Sequence, residues 1–368
     1  MVHSFPTRRS SDLASLHRIG EFGLIQVLRR QFGRTGPSVL RGIGDDAAII
    51  RPAPKHLLLL STDLLAEGIH FDLATATFED IGYKAAAANL SDIAAMGGVP
   101  QHILVAVAIP RSRKPSDIKR LYRGLMRACR LYGVELVGGD TSASRQGLFI
   151  GVTVTGIAEP GQALTRDGAD VGDLLYVTGT LGDSLAGLNI LRTRIRTKGK
   201  AGKWQHAGHL SYLIERHLRP TPRIEAGQLL ATHHLATAAI DLSDGLAGDL
   251  AHVCEESGVG AEIEIAAIPL SSACRWYAAA HHLDPIRLAL TGGEDHELLF
   301  TVSPANRAKL DRLAQRTRCR FSCIGTIRPK KFGLRLTHRD GSSRRLTIAG
   351  YQHFQSQRAI PREAEWSR

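Results

Sequence analysis

Apolar positions along the chain recur with two periods, helical and alternating, and the two interleave. Residues 21–32 place Phe22, Ile25, Leu28 and Phe32 at helical spacing. Residues 47–50 and 57–61 are short apolar runs separated by Pro52 and Pro54, the pattern of two strands around a turn. Residues 78–96 form the strongest predicted helix, Ala-rich and stopped by Gly97, Gly98 and Pro100. A strand is expected over 103–109, a helix over 115–132 opened by Ser116 and Asp117, a short strand over 135–137 and an alternating one over 148–157. One hairpin-like passage between strands is expected at each end of this region. The pattern restarts at Gly161, with strands over 174–178, 236–242, 261–265, 297–302, 320–324, 334–337 and 344–348. Helices are expected over 183–191, 209–218, 223–232, 246–257 and 304–316. The reading is an α+β or α/β protein of two domains, 20–160 and 161–354, with tails at 1–19 and 355–368.

Composition narrows the class. Apolar residues make up 43% of the 368, enough to bury a sizeable core. The longest purely apolar run is 103–109, too short to cross a bilayer, so no membrane partner is expected. Five scattered cysteines, Cys129, Cys254, Cys274, Cys319 and Cys323, make no disulfide framework and fit a reduced cytoplasmic setting. The first residues lack the apolar core of a signal peptide. Residues 5–13 read FPTRRSSDL, which resembles a translated sequencing-adapter fragment and is set outside the fold. Residues 192–205, rich in Arg, Lys and Gly, read as an exposed loop.

The net charge of +12 invites a nucleic-acid reading. No zinc-finger spacing, RNP-like aromatic motif or helix-turn-helix pattern supports it, and no nucleic-acid partner is expected. The excess is also local. Residues 192–223 carry +8 and residues 307–345 carry +11, so the remainder is net acidic.

That acidic remainder is organised. Six places set carboxylates beside Gly, Ser or Thr at the expected ends of elements: GIGDD (42–46), STD (61–63), NLSDIAAM (89–96), GGDT (138–141), IDLSDG (240–245) and GGEDHE (292–297). Taken singly, most read as turns or helix caps. Asp92 is different, because it lies inside an apolar helix, with Lys84 and Ala88 on its face; a Lys84–Asp92 pairing and a ligand role both fit. As a set, several carboxylates would repel one another without a cation, and hard oxygen donors suit Mg2+ with phosphate oxygens and water. No phosphate-binding G-x-x-x-x-G-K-[ST] loop and no H-R-D or D-F-G kinase set occurs. Phosphates would therefore be held by Mg2+ and Gly-rich backbone.

The motifs GIGDDAAII (42–50), STDLLAEGIHF (61–71), YKAAAANLSDIAAMGG (83–98), LVGGDTS (136–142), LTRDGADVGDLLYVTGTLGDSLAGL (164–188), HLRPTPR (217–223), AIDLSDGLAGDL (239–250) and GGEDHELLFTV (292–302) resemble those of bacterial thiamine-monophosphate kinases, in order and spacing. The resemblance runs from about residue 20 to residue 354. It implies the fold of the aminoimidazole-ribonucleotide-synthetase-like superfamily, an N-terminal domain that pairs with that of a second subunit as a homodimer, and ATP in the cleft between domains. It implies transfer from ATP to thiamine monophosphate, giving thiamine diphosphate, the last step of that cofactor's synthesis. By the same resemblance, Asp46, Ser61, Thr62, Asp63, Asp92, Asp140, Asp241 and Asp244 would hold several Mg2+ ions. Gly139, Asp140, Arg166 and Ser243 would contact ATP, and His70, Glu294 and Tyr351 would contact thiamine monophosphate. No residue is expected to act as a dedicated acid or base. The family usually has Tyr where this chain has His296. Selenophosphate synthetases and hydrogenase-maturation dehydratases share the superfamily. The first would need a reactive Cys near the N-terminus and the second a C-terminal Cys, and this chain has neither.

Overall fold

Two sheets, each covered by helices, carry the chain. The computed structural model describes residues 39–41, 45, 48–53, 55–196 and 207–346, all within one compact unit. The expected helix over 21–32, both expected tails and positions 347–348 lie outside the described residues.

The first sheet contains β1 (Val39–Arg41), β2 (Ala48–Ala53), β3 (His56–Ala66), β4 (Val99–Pro110), β5 (Glu135–Ser144) and β6 (Phe149–Ala158), in the order β1-β2-β3-β6-β4-β5. Only the β4–β5 pair is parallel. Its two strands are joined through a helix, α2 (Pro115–Leu131), the kind of crossover a parallel pair requires. The β2–β3 passage is a hairpin, as expected. The other passage is not: β5 pairs with β4, and the chain steps over β4 to form β6.

Helix α1 (Phe78–Ala95) starts where Thr77 accepts a hydrogen bond from the backbone N of Asp80 and the Asp80 carboxylate accepts one from Thr77 N, a reciprocal cap. It is buried nearly all round because it lies between the first sheet, α2 and the second half of the chain. Small residues permit this. A Cβ on Gly82 would fall 1.9 Å from Leu121 O, and one on Gly124 only 1.8 Å from Glu79 O, so α1 and α2 cross backbone to backbone. The sheet face toward α1 is apolar, with Leu57, Leu59, Ile103, Val105, Ile150 and Val152 buried. The opposite face is open, leaving Leu64 61%, Leu104 38% and Phe149 36% exposed.

The second sheet contains β7 (Leu174–Thr178), β8 (Ala236–Asp241), β9 (Val259–Glu264), β10 (Leu298–Val302), β11 (Phe321–Pro329), β12 (Leu334–Thr337) and β13 (Ser343–Arg345), in the order β13-β12-β9-β11-β7-β10-β8. Around it run α3 (Asp183–Arg196), α4 (Ala207–Leu218), α5 (Ile224–Thr232), α6 (Leu246–Ser257), α7 (Ser272–Ala280), α8 (Pro285–Thr291) and α9 (Arg307–Ala314). Helices α7 and α8 were not expected from the sequence. Residues 192–196, expected in a loop, complete α3; residues 197–206 lie outside the described residues.

The two halves share a seam along α1. A Cβ on Gly227 of α5 would meet Ala94 O at 2.0 Å. Leu164 N donates to Met96 O at 3.0 Å, Gln228 Nε2 to Gly98 O at 3.1 Å, and Arg219 Nε to Asp80 Oδ1 at 2.8 Å. One apolar cluster joins Leu90 and Ile93 of α1 to Leu230 and Phe300 of the second half.

Candidate active site at the seam

Strand β3 is longer than its apolar run, so STD lies within it and not at its end. Alternation then sorts the triplet. Ser61 and Asp63 share the face of Leu57, Leu59 and Leu65, toward α1. Thr62 points to the open face, where its hydroxyl donates to Val152 O at 2.9 Å and lies 3.0 Å from Thr153 Oγ1. The Ser61 hydroxyl donates to the Asp92 carboxylate of α1 in a short hydrogen bond. Asp92 is thus paired with β3, and Lys84, two turns earlier on the same helix, goes elsewhere. Its Nζ lies 2.7 Å from Glu294 Oε1, across the seam.

Asp63 faces the end of β8. Burial raises its carboxyl to about 6, the neighbouring charge of Asp241 pushes the same way, and His296 pulls against both. Asp241 is itself buried, and His296 Nδ1 lies 3.4 Å from its Oδ2. After β8 the chain turns through Ser243 and Asp244 into α6. There the buried Asp249 carboxylate accepts from Asp244 N and Gly245 N, each at 3.1 Å. Gly245 adopts φ 104°, which an L-residue rarely does, and a Cβ there would crowd Leu290 O at 3.0 Å. Burial and the nearby Asp244 and Asp241 raise Asp249 well above the ordinary carboxylate range.

The GGEDHE segment is zipped onto this turn. Glu294 N donates to Ser243 O at 2.8 Å, His296 N to Leu242 O at 2.9 Å, and Leu242 N to Glu297 O at 2.7 Å. Glu294 (φ 65°) and His296 (φ 50°) are both left-handed, a conformation that surrounding contacts must enforce. Asp295 supplies one such contact by accepting from Gly182 N at 2.6 Å and Ser184 N at 3.0 Å, at the start of α3. Burial lifts its pKa to about 7, with Arg216 opposing. Glu297 supplies another, taking Thr178 Oγ1 at 2.6 Å, Arg216 Nη2 at 2.8 Å and Arg223 Nε at 2.6 Å. The cations Arg216, Arg219 and Arg223 therefore serve buried acids, so part of the +8 of residues 192–223 is internal.

Of the other expected residues, Arg166 is held by the side chain of Asp45, with Nε 3.6 Å from Oδ1 and its backbone N 3.3 Å from Oδ2. His70 lies in the turn after β3, its Nδ1 accepting from Ala66 N at 3.0 Å. Gly139 and Asp140 lie within β5, which is longer than expected, so GGDT does not follow a strand. Gly139 packs where a Cβ would be 2.0 Å from Val105 O, and Asp140 is exposed, in register with Ala106 on the open face. The structure thus brings Ser61, Asp63, Asp92, Asp241, Ser243, Asp244 and Glu294 to the seam, while Thr62 and Asp140 face away from it. Asp46 and Tyr351 lie outside the described residues.

The donors at the seam are hard oxygens, and Asp63 and Asp241 face each other as like charges. That suits a divalent cation with phosphate ligands. Among the described residues, no three His, Cys, Asp or Glu side chains converge on one point, so this fit rests on pairs. Sequence reasoning missed Asp45, His217 and Asp249 as site neighbours, and it offered Lys84 to Asp92, where the structure gives it to Glu294. The doubled Asp of GIGDD signalled Asp45.

Many known proteins resemble this chain in sequence and in fold. The family described as AIR synthase related protein matches with its N-terminal domain at residues 44–158 and its C-terminal domain at residues 170–336. The chain is 41% identical over 341 residues to a thiamine-monophosphate kinase of Salmonella typhimurium, covering 91% of this chain and 98% of that one. To the Escherichia coli K12 thiamine-monophosphate kinase it is 42% identical with the same coverage. Among solved structures, AaThiL complexed with AMPPCP and TMP superposes with a TM-score of 0.79 at 35% identity, covering 93% of this chain and 100% of that one.

Proposed function

The chain belongs to the thiamine-monophosphate kinase family, and from that premise we propose that it transfers the γ-phosphoryl group of ATP to the phosphate of thiamine monophosphate, yielding ADP and thiamine diphosphate. The relatives' names and the complex of one of them with AMPPCP and TMP support both substrates. The observation that carries the reading in this chain is the convergence at the seam of Ser61–Asp92, Asp63–Asp241 and the Ser243–Asp244 turn, with Glu294 beside it.

The chemistry asks for such a place. The acceptor phosphate carries about −1.5 to −2 charge and must approach a triphosphate that is also anionic. When bound, several Mg2+ ions held by Asp46, Ser61, Asp63, Asp92, Asp241 and Asp244 would neutralise those charges. The side chains of Thr62 and Asp140, on the open face, would join only through contacts made there. Arg166, oriented by Asp45, offers a fixed cation to the triphosphate. Gly139 and Ser243 offer close backbone approach, while His70, Glu294 and Tyr351 receive the acceptor. An anionic phosphate oxygen needs no general base, so positioning for in-line attack is the main task of these side chains.

We further place the protein in the cytoplasm as a homodimer. Its five cysteines are free, and among the described residues no helix is long and apolar enough to cross a membrane. The open face of the first sheet, with Leu64, Leu104 and Phe149, offers an apolar surface to a second copy. The purified chain with ATP should release ADP only when thiamine monophosphate is added, fail with unphosphorylated thiamine, and stop on chelation of Mg2+. Equal ADP release without acceptor would reject the reading.

A further inference from the structure

Lys84 is placed in no role by the motifs, yet it is one of the few cations at the seam. It projects from α1, its side chain only 6% exposed, and its Nζ lies 2.7 Å from Glu294 Oε1 on the opposite half of the protein. The other carboxylate oxygen, Oε2, lies 3.5 Å from His217 Nδ1 of α4, and the same ring nitrogen is 3.0 Å from Ser184 Oγ of α3. Both contacts use Nδ1, so this is not a nucleophile–base–acid relay. Burial, with Lys84 beside it, holds His217 near 3 and therefore neutral. The charge that offsets the Glu294 carboxylate thus comes first from Lys84. Desolvation works against ionisation of Glu294, whose side chain is 34% exposed, and the charge of Lys84 leads the interactions that overcome it, bringing the pKa down to about 2.

We propose that Lys84 is a positioning residue for the phosphate acceptor: it holds the Glu294 carboxylate ionised and aimed across the seam, so that thiamine monophosphate meets a fixed anion. This rests on the reading above that Glu294 receives that substrate. An ionised carboxylate accepts hydrogen bonds and pairs with a cationic ring, whereas a protonated one would donate. The helix adds a second effect. Lys84 and Asp92 lie eight residues apart on one face of α1, about 12 Å along its axis. One rigid element therefore spaces the acceptor's anchor from the Ser61–Asp92 pair.

Initial-rate kinetics on the full chain test this with Lys84→Met, Lys84→Arg, Glu294→Gln and the Lys84→Met/Glu294→Gln double variant. Lys84→Met should raise KM for thiamine monophosphate about tenfold or more, with KM for ATP and kcat changed by less than about twofold. Lys84→Arg should recover most of the loss. The double variant should match Glu294→Gln, because the lysine acts through that carboxylate. Unchanged acceptor KM in Lys84→Met, equal losses for ATP, or additive effects in the double variant would overturn the proposal. If the bare carboxylate prevents Lys84→Met from folding, Lys84→Arg and the double variant still decide it. A parent chain that ignores thiamine monophosphate overturns the functional reading and this proposal with it; an active parent with an unaffected Lys84→Met overturns this proposal alone.

Discussion

At the residue scale, proton occupancy at the seam is set by burial as much as by partners. His217 is held at about 3 by burial and then by Lys84, and His252 at about 4 by burial and then by Arg166. In an unfolded chain each imidazole would titrate near its ordinary value of about 6.5. Below that pH the unfolded state takes up protons that the folded state refuses. These two groups therefore cost stability as pH falls from about 6.5 toward their folded values. Asp295, lifted to about 7, works the other way: its neutral form is favoured in the fold, so it adds stability as pH falls from 7. A His217→Gln/His252→Gln variant should accordingly lose less stability than the parent between pH 7 and pH 4.5, measured as urea midpoints. Parallel losses in both proteins would show that the imidazoles do not stay neutral in the fold. None of this was legible in the sequence, because Lys84 and His217 are separated from Glu294 by many tens of residues and meet it only through the packing of α1 and α4.

At the element scale, legibility followed apolar periodicity and failed where polar residues interrupted it. Helix α1 was read almost to its ends because Ala, Leu and Ile repeat and two glycines stop them. Strands β3 and β5 were cut short for the opposite reason. Ser61, Thr62 and Asp63 look like a turn, yet they continue the strand because β6 pairs with them residue for residue. Gly138–Gly139–Asp140 likewise looks like a loop and is a strand paired to β4. The short helices α7 and α8 are apolar but run for only 9 and 7 residues, too few for a helical period to show. The crossing of α1 and α2 makes a sharper prediction. Gly124→Ala puts a methyl group against the Glu79 carbonyl, a backbone atom that cannot rotate away. Overpacking of this kind should cost about 2 kcal/mol, seen as a lower denaturation midpoint. An unchanged midpoint would mean that the two helices can separate freely.

At the scale of the whole molecule, each half offers an incomplete surface and the function lies on the edges. The seam is internal and well bonded, with Arg219–Asp80 and Lys84–Glu294 crossing it. The open face of the first sheet is the contrast: an antiparallel sheet can leave one side to water, but this one exposes large apolar side chains beside Thr62 and Asp140. If a second copy covers that face, Leu64→Glu/Leu104→Glu should shift sedimentation from dimer to monomer and lower activity. A parent chain that sediments as a monomer would remove the second copy from the proposal. The eight motifs made the overall architecture legible in the sequence through their order and spacing, although STD and GGDT fall inside strands. The basic balance misled, since Arg216 and Arg223 are spent on one buried carboxylate.

That carboxylate belongs to four consecutive residues with four different obligations. Glu294 reaches across to Lys84, Asp295 caps the start of α3, His296 leans on Asp241, and Glu297 closes on two arginines. Such a stretch leaves little freedom to adapt. A change that suited a new acceptor at one position would disturb a helix start or a buried ion pair at the next. Altered acceptor preference in this protein should therefore be reached first from surrounding elements, with compensating changes in place before this segment itself can vary.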